Sequence, residues 1–176
     1  MSGWALGFAI ALAGDPGFSE RGSCDIPSSV PAPTAEASDV DSCEAACAVD
    51  ADCAAYVFVS GWNRCTLQRA TSPRVTLHLV AAAVAAADGA RTLPAPTRDH
   101  DHKGKDLETA PRDLPNAAAC AEACLGEESC RGYVYIEGYR SCWLKATDGE
   151  LVPKTFTCAV RTSSVGEPPG AAPPKP

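Results

Sequence analysis

The sequence predicts a small, disulfide-rich α+β protein built from two tandem modules. Three observations carry that expectation. Ten cysteines fall within 176 residues, four of them recur at a constant offset, and in each copy a short alanine-rich helical segment precedes a β-branched, aromatic run.

The cysteines stand at 24, 43, 47, 53, 65, 120, 124, 130, 142 and 158. An even, dense set in so short a chain reads as a disulfide framework, which places the protein in the extracellular space or another oxidising extracytoplasmic lumen. A module of about 70 residues buries too little apolar surface to offset its chain entropy, and cross-links that restrict the unfolded state make up the deficit. Composition sharpens the point. Only 6% of residues are aromatic, and much of the remaining apolar content is alanine, which contributes little burial per residue.

Cys43, Cys47, Cys53 and Cys65 reappear 77 residues later as Cys120, Cys124, Cys130 and Cys142, without a gap. Tyr56-Val-Phe-Val59 reads onto Tyr133-Val-Tyr-Ile136, and beyond the fourth cysteine Leu67 meets Leu144. A register kept over that length marks a duplicated module. The expected organisation is an apolar extension at 1–19, module one at 20–90, module two at 91–165 and a proline-rich tail at 166–176. The boundary falls where the alanine-rich end of copy one meets the polar stretch from Thr92 to Lys105. Two readings of the extension stay open. Trp4, Leu6, Phe8, Ile10 and Leu12 alternate with small residues, as in a strand, yet the stretch is short and ends on Leu12-Ala13-Gly14, as in a signal remnant. The tail cannot form helix or central strand.

Asp41-Ser-Cys-Glu44 has capping-box spacing ahead of Ala45 to Ala48, and Asn116 is placed to cap Ala117 to Leu125. Cys43 with Cys47, and Cys120 with Cys124, then lie one turn apart on the same helix face. The next segment is strand, and Gly61 or Gly138 marks the turn into a second strand carrying Cys65 or Cys142. With the helix running out and the strand running back, Cys47 is expected to meet Cys53, and Cys43 the more distant Cys65. Copy two repeats this as Cys124–Cys130 and Cys120–Cys142. Zinc is the competing reading for clustered cysteines, but the C-x3-C and C-x5-C spacings contain no C-x2-C knuckle.

The pattern C-x3-C-x5-C-x11-C, the tyrosine-containing strand after its third cysteine, and Cys142-Trp-Leu-Lys145 resemble modules of the PAN/apple family. Gly104-Lys-Asp-Leu107 also resembles that family's opening Gly-x-Asp-Leu strand, so the likeness covers residues 20 to 165. It implies two tandem PAN/apple-like modules, each a curved antiparallel β-sheet cradling one short α-helix, which bind protein or carbohydrate without catalysis. Apple-type members add a third bridge between the first and last strands. Here each copy holds half of it: the position matching Cys158 in copy one is Ala81, and the position matching Cys24 in copy two is Asp101. The two leftover cysteines suggest a Cys24–Cys158 bridge across the pair, with an intermolecular link or free thiols as alternatives.

Net charge is −7, so no basic surface exists to displace counterions from a nucleic-acid backbone, and nucleic acid is not an expected partner. No apolar run reaches the roughly 20 residues of a spanning helix, and no membrane span is expected. Neither a nucleophile elbow, a paired-acid motif, a phosphate-binding glycine loop nor a histidine-containing triad spacing is visible. No enzyme, cofactor or resident metal is therefore expected.

Asp99-His-Asp-His102 supplies the weak metal candidates His100 and His102, although four consecutive linker side chains do not converge on one ion. Asp50 and Asp52 read as a solvated loop before a calcium site, and His78 as structural. Trp62 and Tyr139 near the hairpin tips, with Arg64 and Arg140 close by, are the candidate ligand contacts. The expected function is that of a secreted binding or adhesion module for a protein or glycan. The alternative is a structural subunit of a larger extracytoplasmic assembly, a filament or lumenal complex, joined to neighbouring subunits through its terminal segments.

Overall fold

The computed structural model describes residues 17–28, 32–87 and 90–162, so the apolar stretch up to residue 16 and the proline-rich tail lie outside the described residues. Copy one contributes β1 (Cys24–Asp25), β2 (Thr34–Glu36), α1 (Val40–Val49), β3 (Ala55–Val59), β4 (Arg64–Gln68), β5 (Val75–Thr76) and β6 (Leu79–Ala83). A hairpin of β7 (Ala85–Ala87) and β8 (Ala90–Thr92) follows, then β9 (Thr97–Arg98). Copy two contributes β10 (His100–His102), β11 (Arg112–Asp113), α2 (Ala117–Gly126), β12 (Gly132–Ile136), a 3-10 turn at Glu137–Tyr139, β13 (Ser141–Lys145), β14 (Leu151–Pro153) and β15 (Phe156–Val160). The offset of 77 residues between the cysteines also relates α1, β3, β4 and β6 to α2, β12, β13 and β15.

Two antiparallel sheets each carry one helix, and each sheet takes a strand from the other copy. Their strand orders are β15-β3-β4-β2 and β11-β13-β12-β6-β9. β15 of copy two lies against β3 with Cys158 opposite Val57, and β6 of copy one lies against β12 with Ala81 opposite Val134. The copies thus exchange their last strands reciprocally and in equivalent register. The exchange pairs edges of β3 and β12 that would otherwise stand open to other chains. It also buries β6 on both sides: Val80 and Ala82 join the core under α2, while Leu79 and Ala81 pack with Val134 and Phe156 on the opposite face.

Half-cystines seat the helices. The only buried residues of α1 are Cys43 and Cys47, and the only buried residues of α2 are Cys120 and Cys124. Cys43–Cys65 and Cys47–Cys53 tie α1 to β4 and to the entry of β3, and Cys120–Cys142 and Cys124–Cys130 do the same for α2. The N-cap of α1 is Asp39, two residues before the capping box expected at Asp41. The extended backbone of Asp39 lets its carboxylate accept the Ser42 N–H at 2.8 Å, while Ser42 Oγ accepts the Asp39 N–H at 3.2 Å. Asp41 sits in the first turn and pairs with Arg21 at 2.7 Å. Asn116 caps α2 by accepting the Ala119 N–H at 2.9 Å.

Each exchanged strand also brings an arginine to the far end of the other copy's helix. Arg161, just after β15, donates to the carbonyls of Cys47 and Ala48 at 2.8 and 2.7 Å. Arg91, in the hairpin after β6, donates to those of Cys124 and Leu125, both at 3.2 Å. These carbonyls lie in the last turn of each helix, where acceptors outnumber donors and where the Glu127 N–H meets only the Cys124 carbonyl, at 3.3 Å, and a cation there also complements the helix dipole.

Cys24–Cys158 joins β1 to the exchanged β15 across 134 residues of sequence. At the equivalent place in the second sheet, where Asp101 of copy two and Ala81 of copy one stand instead, an ion pair does the fastening: Lys154, on the lead-in to β15, donates to Asp101 at 2.8 Å. Tyr139 links the copies a second time, its hydroxyl donating to Asp25 at 2.5 Å. Gly138 permits that approach, because a Cβ there would run into the Thr76 carbonyl and the Leu77 side chain.

A protease site placed between Leu93 and Pro96 and cut leaves two halves linked by Cys24–Cys158 alone, because the other four bridges close within a half. In a Cys24→Ser/Cys158→Ser background the cut halves are expected to co-elute on size exclusion, held by β6 and β15; their separation would refute the exchange. Arg161→Ala is expected to lower the unfolding free energy by about 1–3 kcal/mol through loss of its charge-assisted bonds, as read by urea unfolding without reductant.

Candidate functional site

Alternation along β3 and β4 decides which side chains meet the helix. Tyr56, Phe58, Cys65 and Leu67 form the core beneath α1, which leaves Val57, Val59, Arg64, Thr66 and Gln68 on the face that no helix covers. Together with Asp25, Ile26 and Phe156 these residues line an open groove of about 610 Å³. Trp62, in the turn between β3 and β4, also lines it and is 57% exposed. Gly61, at φ +74°, lets that turn close against Pro153 and Lys154. The Lys154 Nζ then sits 3.3 Å from the centre of the Trp62 ring, a cation–π contact that holds an otherwise exposed side chain in place. The Arg64 guanidinium makes no ion pair or hydrogen bond among the described residues. An anchored aromatic, an uncommitted guanidinium and an apolar floor make this groove the candidate recognition surface.

The remaining candidates are placed elsewhere. Tyr139, 41% exposed, reaches the rim of the groove through its bond to Asp25, and burial together with that carboxylate pushes its hydroxyl well above the ordinary tyrosine range. Arg140 pairs with Asp113 at 3.0 Å, outside the groove. His100 Nδ1 lies 2.8 Å from the Arg98 carbonyl. His78 is half-buried beside Asp99 at 3.1 Å. Asp50 is engaged by Arg69 at 2.7 Å and by the Asp52 N–H at 3.0 Å. No group of three potential metal ligands forms among the described residues.

His102 is fully buried. Its Nδ1 accepts the Gly104 N–H at 3.0 Å, which assigns the ring proton to Nε2, and Nε2 has no hydrogen-bond partner among the described residues. Glycines enclose the ring so closely that a Cβ at Gly132 would stand 2.5 Å from it. Burial holds the His102 pKa below its ordinary 6.5, Lys145 adds to the effect, and Asp101 and Asp148 oppose it.

Sequence reasoning reached Trp62 and Arg64 but not the floor of the groove. Alternation held the signal for Val57, Val59, Thr66 and Gln68, since the cysteine-bearing face of each strand must meet the helix. Phe156 and Asp25 carried no local signal, because the exchanged strand and the first strand bring them there.

The fold is that of a duplicated, disulfide-stapled module. Models of the PAN domain match the chain twice, at residues 25–82 and at residues 100–145. The chain belongs to the PAN domain family and carries two PAN domains in tandem. PAN domains are in general modules that bind protein or carbohydrate, typically without catalysis. No curated protein and no solved structure matches the chain.

The lowered pKa of His102 sets a pH dependence. Below pH 6.5 the unfolded chain takes up a proton that the folded chain refuses, so this contribution to stability is intact above 6.5 and lost as pH falls through the lowered value. The melting temperature is expected to fall between pH 6.5 and about 5, above the range where most carboxylates titrate. His102→Gln should flatten that decline; a decline of equal size in the variant would refute the assignment.

Proposed function

We propose that the chain is a non-catalytic binding module that acts outside the cytosol and recognises a protein or carbohydrate through the groove face of β3 and β4. The observation that carries this reading is the groove itself, where the exposed Trp62 stands by Arg64 over the apolar floor of Val57 and Val59. Five disulfides support an oxidising compartment. Among the described residues no helix is long and apolar enough to cross a membrane. A ligand displayed on a surface would make the role adhesive. The alternative of a structural subunit rests on terminal segments outside the described residues.

Screening the full chain against panels of extracellular proteins and of immobilised glycans is expected to yield a partner. Arg64→Ala and Trp62→Ala should each weaken it by about tenfold or more, the loss typical of a central contact. Retained affinity in both variants, with the disulfide map unchanged, would place recognition elsewhere.

A further inference from the structure

A second cavity, of about 280 Å³, lies on the helix-free face of the other sheet, where the two copies meet. Val134 and Trp143 of copy two form its floor, and Leu79 of copy one and Phe156 close it. Its polar lining is unlike that of the groove. Lys145 and Lys154 are 8% and 6% exposed, and each holds one aspartate: Lys145 donates to Asp106 at 2.5 Å and Lys154 to Asp101 at 2.8 Å. All four side chains line the cavity.

Copy one is built without this quartet. At the positions matching Lys145, Asp101, Asp106 and Lys154, copy one has Gln68, Cys24, Ser29 and Leu77, and Thr66 stands where copy two has Trp143. There a disulfide and an apolar side chain complete the equivalent sheet. Buried ion pairs are often no more stabilising than apolar residues of similar volume, so the second sheet has no stability reason to prefer them.

From the chemistry of the lining we infer that this cavity is a second binding site, which takes a single neutral sugar ring. An ammonium has three N–H donors and a carboxylate several acceptor sites, so each pair keeps capacity beyond its own bond. With two cations and two anions in the lining, an anion would face Asp101 and Asp106, and a cation would face Lys145 and Lys154. A purely apolar occupant would cover polar groups without satisfying them. A hydroxyl-rich neutral ring satisfies both kinds of partner and presents a C–H face to an aromatic platform. Trp143 is that platform, since the Trp62 ring is already covered by the Lys154 Nζ at 3.3 Å. The volume falls just below the range of drug-sized ligand sites, about 300–1,000 Å³, which suits one ring better than a longer glycan. The cavity shares Trp62 and Phe156 with the groove, but Arg64 lines only the groove and Trp143 and Asp106 only the cavity, so variants at these three positions tell the two sites apart.

Saturation-transfer NMR titrations of the full chain test the assignment, with methyl glycosides of glucose, galactose, mannose and N-acetylglucosamine against glucuronate and inorganic phosphate. At least one neutral glycoside is expected to bind saturably, with neither anion competing. Trp143→Ala and Asp106→Asn should weaken it by about tenfold or more, and Arg140→Ala, which lies outside both cavities, should leave it unchanged. Asp106 is partly exposed, so its variant keeps the test decisive if loss of Trp143 disturbs the fold. The inference is overturned if no neutral glycoside binds, if glucuronate or phosphate binds more tightly, or if Arg64→Ala abolishes sugar binding while Trp143→Ala does not.

Discussion

Each helix buries two side chains, and both are half-cystines. A ten-residue helix is marginal by itself, and here the usual remedy, an apolar stripe packed on a sheet, is reduced to sulfur. The bridges replace a burial term that an alanine-rich chain cannot supply with a restriction on the unfolded state. Around these anchors the rest of the core is shallow: Tyr56, Phe58 and Leu67 under α1, and Tyr133, Tyr135 and Leu144 under α2.

Strand exchange makes one body of the two lobes. Each sheet is finished by β6 or β15 from the opposite copy, and the arginine that follows each strand closes the C-terminus of the opposite helix. Cys24–Cys158 and the Asp101–Lys154 pair fasten the result at related places by different chemistry. The helix-free faces of the two sheets therefore hold a fixed relation, and Trp62 and Phe156 line the cavities on both. Both cavities lie on the faces that the helices leave bare.

Much of this was legible along the chain. The constant spacing of the cysteines carried the duplication and the helix-to-strand order, because local bridges constrain neighbours in sequence. Turn position singled out Trp62, and charge beside it singled out Arg64. The Asp39 cap was displaced from the expected box because a capping side chain is chosen by backbone geometry, which Ser42 satisfied and Glu44 did not. His102 looked like a linker ligand and became a buried ring among glycines, since packing rather than local pattern determines burial.

By itself the sequence determined the family, the module count, the seating of each helix and the oxidising setting, all of which follow from residues close together or from a repeat that can be laid on itself. Only the tertiary structure decided which sheet each last strand completes, because β6 and β15 match in position and pair in equivalent register, so no local pattern distinguishes pairing within a copy from pairing across copies. That choice brought Phe156 to the groove, assembled the quartet of lysines and aspartates at the seam, and set Cys24 beside Cys158.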